Sequence, residues 1–174
     1  MHFDSYVFPT EKKDYAYGKR PDVECILCAV VDNDPKVASL KIAETGLIFI
    51  SVNLYPYNSG HILLFPKRHI IDIREMTEQE EMEILKLTKT FMGFQDELYR
   101  PMGYNIGWNI GKSSGASIPH IHQHIIPRFP NELGVIDLIG GAKVIIEYPA
   151  DTRERFREKT REYIKTNQEI MIFL

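Results

Sequence analysis

Apolar residues along this chain fall first into short strand-like runs and then into one long helical stripe. VASLKIA (37–43) and LIFISVN (47–53) read as two strands joined by the turn ETG (44–46). LYPYNSG (54–60) is a loop. HILLFP (61–66) is a third strand, too apolar to be exposed on both faces. Thr77-x-x-Glu80 is a capping box. Beyond it Ile84, Leu87, Phe91, Phe94 and Leu98 recur at spacings of 3, 4, 3 and 4, which predicts a helix over 77–100 packed on a sheet and ended by Pro101. GYNIGWNI (103–110) reads as a strand and GKSSGASIP (111–119) as a small-residue loop. HIHQHII (120–126) reads as a strand stopped by Pro127. Further on, AKVIIEY (142–148) predicts a strand, and Asp151 is expected to cap a charged helix over 152–165. The apolar IMIFL (170–174) must bury, within the chain or against a second copy. Strand pairs followed by helices, without regular βαβ alternation, give an α+β class with an antiparallel sheet of about five strands.

A chain of 174 residues usually makes one domain, here 1–174 with a core of about 25–130. Residues 1–24 are then an N-terminal arm and residues 131–174 a C-terminal extension. The balance of 21 Lys+Arg against 24 Asp+Glu gives a net charge of −3, so no long nucleic acid is expected as a partner. A small anionic ligand needs only a local site. The first 21 residues carry no apolar h-region, and no run approaches the length of a membrane span, so no signal peptide and no membrane are expected. The two cysteines, both in CILC, suit a reducing, cytoplasmic setting. There a CxxC is more often a metal half-site or redox pair than a structural disulfide.

HIHQHIIPR (120–128) holds three of the six histidines. On a strand His120, His122 and His124 would share one face, with neighbours ~6–7 Å apart and the outer two ~13 Å apart. Metal–nitrogen bonds of about 2 Å cannot gather all three on one ion. A division of labour follows: one metal or structural role, one catalytic role and one anion-binding role. The loop just before them offers Asn109, Gly111, Ser113, Ser114, Gly115 and Ser117, small residues whose N–H and hydroxyl groups suit phosphate oxygens. Lys112 and Arg128 add positive charge, or are simply solvated.

These residues resemble the histidine triad (HIT) family, whose signature is His-φ-His-φ-His-φ-φ with φ hydrophobic. Gln123 departs from it at the fourth position. On a strand it faces away from the histidines, so a change in packing is expected rather than a lost activity. NLYPYNSGHILLFPKRH (53–69) resembles the branch of dinucleoside-polyphosphate hydrolases and phosphorylases. NIGKSSGAS (109–117) resembles the family's phosphate loop and CILC (25–28) its N-terminal cysteine pair. The likeness spans roughly residues 25–130.

The resemblance implies a nucleotide or dinucleoside polyphosphate, such as diadenosine tetraphosphate, as substrate. His122 would be the nucleophile on the α-phosphorus, giving a covalent nucleotidyl-histidine. One of its ring nitrogens would keep a proton, held by a backbone carbonyl. His124 would contact the phosphate and assist proton movement. Asn109, Gly115, Ala116 and Ser117 would hold phosphate, and Asn53 the ribose. Cys25, Cys28, His69 and His120 match the ligands of a closed structural zinc; a free, buried cysteine pair is the alternative. His61 is assigned a structural role, and His2 a mobile terminus. Two copies would form a homodimer with a continuous sheet. Water or inorganic phosphate could be the acceptor. Two other readings stay open: zinc-activated water on two triad histidines, and a zinc-stabilised nucleotide-binding module without turnover.

Overall fold

Thr77 opens the long helix as its spacing predicts. In the computed structural model, which describes residues 21–130, 132, 147–167 and 172–174, its hydroxyl accepts from the Glu80 N–H while the Glu80 carboxylate accepts from the Thr77 N–H. The described elements are α1 (Ile26–Val31), β1 (Lys41–Glu44), β2 (Ile48–Val52), β3 (Ile62–Pro66), α2 (Glu78–Tyr99), β4 (Gly103–Trp108), β5 (Gln123–Arg128) and α3 (Pro149–Thr166). The five strands form one antiparallel sheet in the order β1-β2-β3-β5-β4. The expected α+β class and strand number therefore hold.

Strand alternation divides the side chains between two cores. Ile48, Ile50 and Val52 of β2, Ile62 and Leu64 of β3 and Ile125 of β5 meet Ile84, Leu87, Phe91 and Phe94 of α2. Phe49, Leu63 and Phe65 point the other way, against Leu27, Ala29 and Val30 of α1. Gln123 faces α2, where its side-chain oxygen accepts from the Thr88 hydroxyl at 2.6 Å. It thus faces away from His124, which pairs with Leu63 on the α1 side.

Several boundaries differ from expectation. The first strand starts at Lys41, not Val37. The histidine strand begins at Gln123 rather than His120, because both flanking strands give their last partner there, Leu64 on β3 and Trp108 on β4. Pro127 does not stop it. Past Ile125 the strand is paired on its β4 side alone, where a residue without N–H is tolerated. Asp151 lies in the first turn of α3, but Tyr148 is the cap and Pro149 sets the start; proline's fixed φ and missing N–H suit a first helical position. Residues 142–146 of the expected 142–148 strand lie outside the described residues, as do the arm 1–20 and Ile170–Met171. Glu147 and Tyr148 are not in a strand.

The described part of the C-terminal extension contributes to the core. Phe156 of α3 is fully buried, with ring centres 6.1 Å from Phe91 and 6.0 Å from Tyr99. Ile172 is buried in the same cluster, and Phe173 exchanges backbone hydrogen bonds with Glu44 at the outer edge of β1. We expect Phe156→Ala to cost about 3–5 kcal/mol, read as a lower urea midpoint with an unchanged slope.

Candidate active site and metal centre

Two cysteines one helical turn apart form one half of the metal centre. Cys25 caps α1, its carbonyl accepting from the Ala29 N–H, and Cys28 follows on the same face. The other half comes from the loop after β3 and the residues just before β5. His69 follows β3 in a loop pinned by Arg68, whose guanidinium grips both oxygens of the buried Glu80 carboxylate at 2.7 Å. Hydrogen bonding from Arg68, against the cost of burial, lowers that carboxyl to about 2. The clamp ties the His69 loop to the first turn of α2.

Cys28 Sγ lies 3.3 Å from His69 Nδ1 and 3.5 Å from His120 Nδ1, and Cys25 Sγ lies 3.5 Å from His120 Nδ1. All four ligand atoms lie within 4.8 Å of one another. Zinc bonds of about 2.3 Å to sulfur and 2.0–2.1 Å to nitrogen give tetrahedral edges of about 3.5 Å between S and N. The cluster fits such an ion. Without one, burial and then the neighbouring Cys25 push the Cys28 thiol up to about 12, so a cation is what would hold sulfur there as thiolate.

His120 serves both this cluster and the next residue of the triad. Its Nε2–H donates to the Pro66 carbonyl at 2.9 Å, leaving Nδ1 for the sulfurs. Its own carbonyl accepts from His122 Nδ1–H at 2.7 Å. His122 therefore presents Nε2 with a free lone pair. Burial lowers its basicity, partly offset by that carbonyl. Burial, more than the neighbouring His122, holds His124 down to about 4. Both rings are neutral at pH 7. Because His122 precedes β5, the two imidazoles come closer than strand spacing implies, with ring centres 4.8 Å apart.

His61 was not singled out for chemistry by the sequence, yet it sets the state of His124. The Tyr57 N–H donates to His61 Nδ1 at 3.1 Å, so neutral His61 keeps its proton on Nε2. That Nε2 lies 3.0 Å from His124 Nδ1. Nδ1 of His124 is then the acceptor and its Nε2 carries the proton, which the Asn109 side chain, 3.5 Å away, can accept only when its amide oxygen is turned to face it. The signal available in the sequence was a histidine opening an otherwise apolar strand, since a buried imidazole needs partners. Tyr57, also missed, lies over His61 with ring centres 5.3 Å apart and the planes 16° from parallel.

The structure brings Cys25, Cys28, His69 and His120 together in one cluster and His122, His124 and Asn109 in another. Asn53 joins the second through His61, its amide 3.3 Å from the ring, while its Oδ1 accepts from the Tyr55 N–H. Gly115, Ala116 and Ser117 occupy the outer turn that leads to His120, after a single helical turn at Lys112–Ser114. Gly111 and Gly115 have φ of 81° and 86°, a conformation other residues adopt with strain.

Among the described residues no helix is long and apolar enough to cross a membrane. The chain is 36% identical over 115 residues to the AP-4-A phosphorylase of Mycobacterium tuberculosis, a match covering 66% of this chain and 59% of that protein. The chain thus spans less than two thirds of that relative's length. It is 33% identical over 110 residues to adenosine 5'-monophosphoramidase hnt1 of Schizosaccharomyces pombe, covering 63% of this chain and 77% of that protein. Its fold is similar to that of a Zn-bound histidine triad family protein from Mycobacterium smegmatis, with a TM-score of 0.68 and 20% identity over 83% of this chain and 98% of that one. The HIT domain family model matches residues 29–131, and the chain belongs to that family.

Proposed function

We propose that the chain is a nucleotide hydrolase or nucleotidyltransferase acting on the α-phosphate linkage of a dinucleoside polyphosphate or nucleotide conjugate. The observation that carries this is how the two rings are held: the His120 carbonyl lies 2.7 Å from His122 Nδ1, and His61 Nε2 lies 3.0 Å from His124 Nδ1, which assigns complementary tautomers to the pair. His122 offers an unprotonated Nε2, and His124 offers an Nε2–H beside it. His122 Nε2 attacks the α-phosphorus, and the bond to the leaving oxygen breaks. His124 Nε2–H donates a hydrogen bond to that oxygen and stabilises the charge with which it leaves as a phosphate anion. The acceptor, water or inorganic phosphate, then attacks the same phosphorus as the bond to His122 breaks; His122 leaves with its Nε2 lone pair restored, and the acceptor's proton passes to solvent.

Asn109 and the N–H groups of Gly115, Ala116 and Ser117 would hold phosphate oxygens, and Asn53 the ribose hydroxyls. Zinc on Cys25, Cys28, His69 and His120 would be a closed, structural ion that supplies charge and rigidity rather than a reacting water. That disfavours the zinc-water reading, because His120 Nδ1 faces the sulfurs and four protein ligands leave no open position. The names of the two relatives, a phosphorylase and a phosphoramidase, support nucleotide chemistry at an α-phosphate. Paired thiol ligands suit a reducing, cytoplasmic compartment. A homodimer is the assembly we propose, since the outer edge of β4 pairs with no strand among the described residues, whereas β1 is covered by Phe173.

Incubation with diadenosine tetraphosphate, with and without inorganic phosphate, tests this. AMP plus ATP in water alone identifies a hydrolase. ADP plus ATP only with phosphate identifies a phosphorylase. Tight binding with neither product set would leave a binding module and overturn the proposal.

A further inference from the structure

His120 is the one triad histidine that reaches both centres. Its ring nitrogen Nδ1 faces the two sulfurs, and its carbonyl holds the Nδ1 proton of His122. The orientation of that carbonyl follows from where the ring is fixed. Without a metal, the buried ring is held by one hydrogen bond to Pro66, weak thiol contacts and edge contacts with Phe65 and His69, of which only the hydrogen bond fixes a ring nitrogen strongly. The backbone here is outside the sheet ladder, because β5 starts only at Gln123, and its nearest anchor is the Ile121 N–H on the Ile70 carbonyl. His69, a second ligand, is the residue just before Ile70. Two of the four ligands therefore flank the single backbone bond that steadies this segment.

We propose that a zinc ion on Cys25, Cys28, His69 and His120 positions the nucleophile, by fixing the His120 carbonyl that keeps the proton of His122 on Nδ1. This rests on the reading of His122 as nucleophile and deepens it. Zinc joins α1, the His69 loop and His120, and so removes the freedom of the peptide that His122 depends on. When the metal leaves, the carbonyl loosens. The proton of neutral His122 then moves to Nε2 in a fraction of molecules, and those molecules have no lone pair facing the phosphorus. A positioning role of this kind lowers kcat more than it raises KM, since neither Asn53 nor any residue of the phosphate loop is itself a ligand. Loss of a partner that orients a metal or catalytic histidine costs about 10–100-fold.

The test uses the whole chain labelled with 15N-histidine. Long-range proton–nitrogen spectra distinguish Nδ1–H from Nε2–H, and the His122 signals are assigned by their absence in His122→Ala. Spectra are recorded zinc-loaded, after chelation, and for Cys28→Ser, with zinc content measured in each. The expected result is one zinc per chain and Nδ1–H at His122 when loaded. Chelation and Cys28→Ser then give a mixture of tautomers with kcat about 10–100-fold lower and KM within about threefold. Three results overturn the inference: no zinc in the wild type, a His122 tautomer indifferent to zinc, or loss of the dispersed β2 and β3 amide signals on chelation, which would make the metal a global staple. The tautomer readout needs no turnover. An inactive protein whose tautomer still follows zinc would fail the proposed function and not this coupling.

Discussion

Replacing His122 with alanine is expected to lower kcat for diadenosine tetraphosphate by about 10⁴-fold or more, while nucleotide binding stays within a few-fold of wild type. Removing a nucleophile costs far more than removing a binding contact, because the residual rate comes from positioning alone. The geometry makes His122 the residue with most to lose. Its Nε2 is the nitrogen freed by a carbonyl on the other side of the ring, and burial keeps the ring neutral. His124 cannot substitute for it, since its Nδ1 is occupied by His61 and its Nε2 carries the proton. Steady-state kinetics and AMP binding by calorimetry on the same preparation separate the two effects. A His122→Ala enzyme retaining more than a tenth of the wild-type rate would mean that another group attacks.

His61→Ala should be the second most damaging change, with kcat falling about 10²–10³-fold. The size is that of one lost hydrogen-bond donor to the charge developing in the transition state. His61 is fully buried and never faces substrate in this arrangement; it acts through His124. Without its Nε2–H, Nδ1 of His124 loses the donor that reserves it as acceptor, and the N–H that should face the leaving oxygen can sit on the wrong nitrogen. His61→Gln restores a donor of similar reach and should recover part of the loss, whereas His61→Leu fills the space and should not. Equal rates for Gln and Leu would make His61 a packing residue. Thermal melts of all three would show whether stability follows the same order.

Much of this could be read from the sequence, and what could not has physical reasons. The capping box at Thr77 and the stripe through Leu98 were legible because helix start signals and periodicity agree over 22 residues. The strands β2 and β3 were legible because apolar runs bounded by turn residues have few other uses. α1 was not, since six residues are too few to show a period, and Cys25 caps it with no side-chain bond. The start of β5 was missed because strand order, not local pattern, decides where its ladder ends. In the site, the grouping of Cys25, Cys28, His69 and His120 followed from the family resemblance and is matched by their proximity here. The link from Tyr57 through His61 to His124 was illegible. It joins residues 63 positions apart through ring nitrogens, and only the coordinates say which nitrogen accepts.

The most direct test of the account is to trap the intermediate. Protein mixed with a substrate carrying a labelled α-phosphate is quenched in base within a turnover and digested, and the labelled peptide is sequenced. The account predicts one acid-labile, base-stable nucleotidyl group on the peptide containing His122, absent in His122→Ala and formed fast enough to carry turnover. Label on another residue, or turnover with no labelled peptide, would contradict it.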